Sequence, residues 1–310
     1  MGVEKETVNR FIPEELDRYT YWIEERERIR HLKEELKQDP PWTEDPILKE
    51  FKFCQVFRED DRTTRWFRTH MREPLRNSPD VFMATIAFRF FNLIETGRTL
   101  LDNNLHIEWD RPKAIEEIKK NPKWITGAYI VKSPNRMDKV TGVTECVSHI
   151  WDDRENIVKQ LESFTTLEEA WQFLMQYPYI GPFVSYEMVT DLRHTYLLEN
   201  ATDICSWGNP GPGAMRGLNR LTGRPLEFCK RSWDWHSEML DLYDWCSQKL
   251  DLSKLNYPFE MREVEGGLCE FDKYSRILKG QGRTRSVYNY SERNRPLIED
   301  IENGESRWEN

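Results

Sequence analysis

The sequence contains few cysteines, and they lack the spacings that metal or disulfide frameworks require. Its six cysteines are dispersed along 310 residues, and no Cys-x-x-Cys pair occurs. Zinc ribbons, iron–sulfur clusters and disulfide frameworks all need clustered or regularly spaced cysteines. We therefore expect free thiols in a reducing compartment and no bound metal ion.

Long apolar runs and a secretory leader are also lacking. The most apolar stretch, 81–94, is interrupted by Thr85, Arg89 and Asn92 and falls short of the roughly 20 apolar residues that span a bilayer. The first residues, MGVEKETVNRFIPEELD, contain no apolar segment of the signal-peptide type. We expect a cytoplasmic protein with no membrane partner.

Positive charge is scarce overall but concentrated locally. Lysine and arginine total 45 against 54 acidic residues, for a net charge of −9. This balance argues against a basic coat over the whole surface and leaves room for a local nucleic-acid patch. Residues 209–231 hold five basic side chains and one acidic one, and residues 273–295 hold seven and one.

Aromatic residues, by contrast, are abundant at 13%, which excludes a disordered chain. Apolar spacing of three and four residues predicts a mostly α class, with one small β element at 124–131. We expect a charged N-terminal helix and connector at 1–45, a helical domain at 46–290 and a polar tail at 291–310. The predicted helices are 13–38, 59–72, 81–97, 146–162, 166–176, 182–198, 213–222, 232–250 and 259–279.

A first candidate site is the turn between the predicted helices 166–176 and 182–198. A helix, a short turn around Ile180 and Gly181, and a second helix form a helix-hairpin-helix, whose turn amides bind a DNA phosphate. The turn resembles the Leu-Pro-Gly-Ile-Gly-Pro hairpin of base-excision DNA glycosylases, although Tyr179 replaces its first glycine. An ordinary helix–helix turn remains the alternative.

A second candidate is the Pro/Gly-rich segment 207–220. Gly211 and Gly213 lead into a predicted helix on which Arg216 and Arg220 share a face. A glycine-rich loop at a helix N-terminus with adjacent arginines suits a phosphate or pyrophosphate. It is not a P-loop, because no Gly-Lys-Ser/Thr follows. A rigid connector with solvated arginines is the alternative.

A third candidate is the helix face formed by Glu270, Lys273 and Tyr274, which are spaced i, i+3, i+4. It could supply a general base, a positioned cation and a hydroxyl group. Spacing alone equally describes a surface ion pair.

Polar residues on apolar helices add further candidates. Arg89 and Asn92 interrupt the most apolar helix, and Arg89 there calls for a buried carboxylate or phosphate partner. Asp191, on the predicted helix 182–198, is a candidate carboxylate in addition to Glu270. Arg62 and Arg65 follow the acidic start of the predicted helix 59–72.

Eight segments occur in this order along the chain: Tyr21-Trp-Ile-Glu-Glu-Arg-Glu-Arg-Ile-Arg30, Pro41-Trp-Thr-Glu-Asp-Pro-Ile-Leu48, Phe57-Arg-Glu-Asp-Asp-Arg62, Ala87-Phe-Arg-Phe-Phe-Asn92, Thr126-Gly-Ala-Tyr-Ile130, Ile180-Gly-Pro-Phe183, Gly211-Pro-Gly-Ala-Met-Arg-Gly217 and Leu268-Cys-Glu-Phe-Asp-Lys-Tyr274. Together they resemble one family, the glycosylase-like thymine-hypermodification proteins of bacteriophages. These are α-glutamyl/putrescinyl thymine pyrophosphorylases or amino acid:DNA transferases, and are similar to the helical domain of 5-hydroxymethyluracil DNA kinases. The resemblance covers about residues 20–290.

The resemblance implies a DNA-glycosylase-like helical fold and an amine transferase active on double-stranded DNA. An amino acid such as glycine, or a polyamine, displaces phosphate or pyrophosphate from phosphorylated 5-hydroxymethyluracil, without a cofactor, in the host cytoplasm. Glycosylases of this fold carry an Asp about two dozen residues after the hairpin, in a Val-Asp-x-Asn-Val-type turn. Asp203 lies at that distance here, but the sequence around it departs from this pattern.

Roles in such a reaction can be assigned to the candidates. Ile180, Gly181, Arg62 and Arg65 hold the DNA backbone, and Arg89 and Asn92 are further candidates for phosphate or DNA contact. The segment from Gly211 through Gly213 to Arg216 and Arg220 binds the leaving phosphate. Glu270 or Asp191 accepts the proton of the amine, with Lys273 and Tyr274 beside Glu270. A DNA glycosylase and a non-catalytic DNA-binding module remain the alternatives.

Overall fold

A computed structural model describes residues 10–128, 130–230, 233–282 and 287–288. These residues fold almost entirely into helices, which confirms the mostly α class. Within them we number the α-helices α1 Pro13–Arg30, α2 Pro46–Glu50, α3 Arg62–Phe67, α4 Asp80–Phe91, α5 Ile94–Asp102, α6 Arg111–Ile118, α7 Lys139–Trp151, α8 Arg154–Leu161, α9 Leu167–Leu174, α10 Pro182–Leu192, α11 Pro212–Thr222, α12 Trp235–Lys249 and α13 Met261–Leu278.

The chain forms two compact units. The first unit comprises residues up to 61 together with 205–282 and contains α1, α2 and α11–α13; the second comprises 62–204 and contains α3–α10. The domain boundaries proposed near residues 45 and 290 remain predictions. The predicted polar tail 291–310 lies outside the described residues.

In the first unit, α1 begins at Pro13 with acidic residues in its first turn, which favours a helix start. Its apolar stripe includes Leu16, Tyr19 and Ile23, all fully buried. The Tyr19 ring meets the Phe271 ring of α13 edge-on at 5.4 Å between centroids. Burial of these aromatic and aliphatic side chains anchors α1 against the C-terminal helix of the unit.

Helices α11 and α13 pack with their backbones unusually close, because glycine occupies the contact. A Cβ atom built on Gly217 would lie 2.4 Å from the backbone oxygen of Leu268, and one on Gly213 would lie 2.4 Å from the Cys269 Sγ. These two glycines therefore serve helix packing.

Gly217→Ala should destabilise the protein by about 1–3 kcal/mol, because the new methyl group must push the two helices apart. Gly266→Ala is the matched control, since Gly266 lies inside α13 with no atom within 4 Å of its added Cβ. That substitution should stabilise by about 0.5–1 kcal/mol through helix propensity. Urea unfolding of both variants measures the difference; equal stabilities would contradict the close contact.

The second unit is built around α4, in which every residue from Val81 to Phe91 is buried. The predicted helix 81–97 is wrong in its extent, because the helix ends at Phe91 and a separate helix follows. Asn92 adopts a left-handed conformation with φ 46° and caps the helix, and α5 begins at Ile94. Asparagine tolerates this conformation better than most residues, which explains why the helix ends there.

Two other sequence predictions need correction, and one helix was not predicted. The predicted strand 124–131 is absent: its described residues, all except Tyr129, run as an irregular segment, and no neighbouring strand offers them a ladder partner. The predicted helix 146–162 divides into α7 and α8, and α7 already begins at Lys139 behind the cap Asp138. The sequence analysis missed α6, although Asp110 followed by Pro112 is a typical helix start.

In the described part of the chain, no helix is both long and apolar enough to cross a membrane.

Candidate functional site

The Glu270 carboxylate on α13 is held from two sides within the first unit. Its Oε2 accepts hydrogen bonds from the Cys54 backbone amide at 2.9 Å and from Lys273 Nζ at 3.2 Å. The Glu270 side chain retains 13% of its exposure and Lys273 retains 20%. The i, i+3 spacing does bring Glu270 and Lys273 together as an ion pair, and both side chains keep part of their exposure to solvent.

A second carboxylate, that of Asp61, accepts a hydrogen bond from Gln55, the residue that follows Cys54. Its Oδ1 accepts the Gln55 amide at 3.1 Å. Desolvation raises the pKa of Asp61 to about 6; the Gln55 amide opposes this rise, and the negative charge of Glu270 adds to it. Consecutive backbone amides, those of Cys54 and Gln55, thus hold two carboxylates whose charges affect each other.

Arg26 and Lys273 secure the segment that carries these amides. Arg26 donates through Nη2 to the Cys54 carbonyl oxygen at 3.2 Å and to Gln55 Oε1 at 3.0 Å. The Lys273 ammonium group lies 4.7 Å from the centre of the Phe53 ring. We call Asp61, Glu270 and Lys273 the carboxylate site.

Tyr274 does not point into the carboxylate site. Its side chain is buried, and its hydroxyl group donates to Asp45 Oδ2 at 2.7 Å. Burial and the Asp45 carboxylate raise the pKa of Tyr274 well above its usual range. Asp45 also caps the N-terminus of α2, so Tyr274 links α13 to that helix start.

The predicted arginines of α11 meet at one buried acid. Asp272 Oδ2 accepts Arg216 Nε at 2.8 Å, and Asp272 Oδ1 accepts Arg220 Nε at 2.7 Å. Asp272 and Arg220 retain only 3% exposure, whereas Arg216 retains 39%. The two arginines do share a helix face, as predicted, but of the two only the Arg216 side chain is substantially exposed to solvent.

The start of α11 is occupied by a side chain of the protein. Glu265 Oε1 accepts the Gly211 amide at 3.3 Å, and its Oε2 accepts Arg262 Nη1 at 2.6 Å. A carboxylate therefore lies at the helix N-terminus, the position that favours an anion.

Cys269 precedes Glu270 on α13, and its Sγ packs against Gly213 of α11. Its side chain is exposed at the surface but closely surrounded, and this loss of solvent raises the pKa of the thiol to about 12. The charges of Glu265 and Glu270 act in the same direction, and the charge of Arg216 opposes them.

In the second unit, Asp191, Arg89 and Asn92 form a buried network. Arg89 binds Asp191 with both its Nε and its Nη2 atoms, the latter at 2.8 Å, and reaches Asn92 Oδ1 at 2.7 Å and Thr64 Oγ1 at 3.1 Å. Asp191 is fully buried and Arg89 is 2% exposed. Arg89 thus has the buried carboxylate partner that its position in an apolar helix suggested.

The predicted hairpin turn joins α9 to α10. Tyr179 has φ 68°, a left-handed conformation that glycine adopts more easily, and Ile180 is buried beneath the turn. Gly181 precedes α10 as its N-cap, with no atom within 4 Å of an added Cβ. Tyr179 therefore keeps the backbone geometry of a glycine position.

Asp203 binds the N-terminus of α9, the first helix of the hairpin. Its two carboxylate oxygens accept the Leu167 amide at 2.7 Å and the Glu168 amide at 3.0 Å, at the first turn of α9. Asp203 thus acts as a helix cap.

Arg62 and Arg65 lie on α3 of the second unit and are partly exposed.

Two acidic residues of the first unit were not among the predicted site residues. They are Asp61, which bonds the Gln55 amide, and Asp272, which binds Arg216 and Arg220. Neither the adjacent Asp61 and Arg62 nor the i, i+2 spacing of Glu270 and Asp272 indicates these partners in the sequence. Within the described ranges, no group of three or more His, Cys, Asp or Glu residues could hold a metal ion.

The chain matches one family of known proteins over most of its length. The family model of the 5-hmdU DNA kinase helical domain matches residues 14–283. The 5-hmdU DNA kinase of Bacillus phage SP10 is 24% identical over 317 aligned residues, which cover 90% of this chain and 47% of the kinase. The chain thus spans about half the length of that relative. No solved structure matches.

Proposed function

Because the chain belongs to the family of the 5-hmdU DNA kinase helical domain, we propose that it takes part in the modification of 5-hmdU in DNA. More specifically, it transfers an amine to phosphorylated or pyrophosphorylated 5-hmdU and releases phosphate or pyrophosphate. The observation that carries this proposal is that one unit holds a partly exposed carboxylate, Glu270, and a partly exposed arginine, Arg216, each fixed by a neighbouring charged side chain.

The reaction needs one base and one anion-stabilising group. The ammonium group of the incoming amine gives a proton to Glu270, and its lone pair forms the C–N bond to the 5-methylene carbon. The C–O bond breaks, and its electron pair leaves on the phosphate or pyrophosphate oxygen. Arg216 neutralises the charge that grows there, while Lys273 holds Glu270 in position.

In this proposal, the remaining candidates of the first unit, together with Arg89 and Asp191, stabilise the fold and do not contact the substrate. Asp191 cannot meet an amine while Arg89 binds both of its oxygens in a buried network. Arg220 helps Asp272 orient Arg216, and Tyr274 fixes the start of α2. Gly211 and Gly213 contribute through their contacts with α13, since Glu265 occupies the Gly211 amide.

Two alternative activities are less well supported. A glycosylase needs an acidic group directed at the sugar, and Asp203 instead uses both oxygens to cap α9. Phosphoryl transfer from ATP commonly uses a P-loop, and the sequence contains no Gly-Lys-Ser or Gly-Lys-Thr. The kinase name of the phage relative therefore does not by itself assign kinase activity to this chain.

DNA binding through a helix-hairpin-helix is part of the proposal and rests on the second unit. The left-handed Tyr179 and the open space at Gly181 leave room for a backbone phosphate at the N-terminus of α10. Arg62 and Arg65 add positive charge within the same unit. The glycosylase-like character of the fold belongs to this proposal as well.

Gly181→Asp should weaken DNA binding about tenfold and reduce the log–log salt slope by about one, because a carboxylate replaces the phosphate at the helix start. The variant should fold as stably as the parent, since Asp is a favourable N-cap. Gly181→Ser is the neutral control and should lose less affinity. Fluorescence anisotropy at several salt concentrations measures both; equal binding by all three proteins would remove the hairpin from the DNA contact.

The activity itself is tested by incubating the protein with DNA containing phosphorylated 5-hmdU and a mixture of amino acids and polyamines. Amine transfer predicts a new nucleoside mass, phosphate release that requires an added amine, and no alkali-labile breaks. Nucleoside mass spectrometry and alkaline gels read these outcomes. Abasic sites that form as fast as the amine is incorporated would identify a glycosylase instead, and binding without product would identify a DNA-binding module.

A further inference from the structure

An irregular loop of the second unit joins α6 to α7 and is anchored to helices at two points. Thr126 donates its backbone amide to the carbonyl oxygen of Phe91, the last residue of α4, at 2.8 Å. Further along the loop, Val131 is buried, and Lys139 of α7 donates through Nζ to its carbonyl oxygen. We call this segment the basic loop, and its described residues are 122–128 and 130–138.

The part of the basic loop between these anchors is exposed to solvent. Gly127 and Ala128 are exposed, and no atom lies within 4 Å of a Cβ atom built on Gly127. Ile130 retains 87% of its exposure, the largest fraction for a large apolar side chain in the described part of the chain, and Met137 retains 44%. A single exposed apolar side chain is common at a protein surface. Here two of them occur in one loop, which also carries positive charge.

Three exposed cations of the basic loop have no ion-pair or hydrogen-bond partner for their side chains among the described residues. These loop cations are Lys123, Lys132 and Arg136. Asp138, the one acidic residue of the loop, lies 3.0 Å from Lys119, and Glu117 of α6 lies 2.6 Å from Lys120. Because other lysines already pair with these acids, the loop cations present their charge to solvent and favour an anionic partner.

We propose that the basic loop is a second DNA contact, in which the loop cations bind backbone phosphates and Ile130 enters the minor groove as a wedge between base pairs. Phosphates match unpaired cations, and an apolar side chain that inserts between base steps partly unstacks them. The inference rests on the proposed function in taking DNA as the partner, but it does not depend on amine transfer. It adds a contact that is separate in the sequence from the hairpin at Gly181.

Fluorescence anisotropy of the full chain with a fluorescein-labelled DNA duplex tests the phosphate contacts. Replacement of all three loop cations by glutamine should weaken binding at least about tenfold and reduce the log–log salt slope by about two to three. The matched control removes the same charge from three exposed cations of the first unit, through Arg28→Gln, Lys249→Gln and Lys254→Gln. It should keep the salt slope of the parent, and equal losses in both triple variants would overturn a local contact.

The wedge is tested with duplexes that carry 2-aminopurine at successive positions beside a single 5-hmdU, because 2-aminopurine fluorescence increases when the base unstacks. The parent should produce this increase. Ile130→Ser should lose most of it and keep most of the affinity, since the loop cations supply the attraction to phosphate. Leu36→Ser, which changes an apolar side chain of the first unit that is 51% exposed, is the control and should behave like the parent.

Circular dichroism should show that all variants fold, because each changed side chain is exposed. An absent fluorescence increase with the parent, or an unchanged increase with Ile130→Ser, would overturn the wedge. If the loop-cation variant binds DNA like the parent but loses binding to vesicles of phosphatidylserine and phosphatidylcholine, the loop fits an anionic lipid surface and the DNA contact is overturned. These measurements need no amine and form no product, so a failure of the proposed reaction would leave them unaffected.

Discussion

Glu270→Gln should lower the rate of amine transfer by a factor of about 10²–10⁴, the range expected when a general base is lost. Glutamine keeps the shape of the side chain, and its amide oxygen can still accept the Cys54 amide. DNA affinity should therefore stay within twofold of the parent. Single-turnover assays on phosphorylated 5-hmdU DNA measure the rate, and anisotropy measures binding.

The pH dependence of the same reaction follows from Asp61. Its pKa of about 6 means that the carboxyl group is ionised above pH 6 and takes up a proton below it. Loss of that negative charge beside Glu270 weakens the attraction for the incoming ammonium group, so turnover should fall as the pH decreases through 6. Asp61→Asn should be slow throughout and lack this acidic limb.

Glu14→Gln is the control for the charge change, because Glu14 is an exposed residue of α1. Its turnover should equal that of the parent at every pH. A fully active Glu270→Gln would transfer the role of base to another group, with Asp61 the first to examine. Glu270→Gln that loses DNA binding and turnover together would instead make Glu270 a DNA contact.

Helical periodicity predicted those parts of the site that lie on one helix. The i, i+3 spacing brought Glu270 to Lys273, and the i, i+4 spacing placed Arg216 and Arg220 on one face. Spacing within a helix is fixed by its geometry, so these contacts can be read without a tertiary structure.

Contacts between distant segments could not be predicted in this way. Asp272 gathers both arginines only because glycines bring α11 and α13 together, and Asp61 joins Glu270 only because the chain at Cys54 and Gln55 lies beside α13. The strand predicted at 124–131 failed for a related reason. A β-prone segment becomes a strand only when another segment pairs with it.

Asp191→Asn should destabilise the protein by about 3–5 kcal/mol, the cost of leaving a buried charge without its partner. Asp191 is fully buried and binds Arg89, and Arg72 lies 4.0 Å from its Oδ1. The amide retains only part of the hydrogen bonding and none of the charge. Urea unfolding should show a large decrease in the midpoint, whereas the exposed Asp102→Asn should change stability by less than about 0.5 kcal/mol.

A double substitution separates a structural role of Asp191 from a catalytic one. Arg89→Met combined with Asp191→Leu removes both charges, and replacement of a buried ion pair by apolar residues often recovers most of the lost stability. If Asp191 serves only the scaffold, the double variant should regain stability and amine transfer together. A stable double variant that binds DNA but forms no product would instead show that the pair of Arg89 and Asp191 takes part in the reaction, because no loss of stability would remain to account for the inactivity.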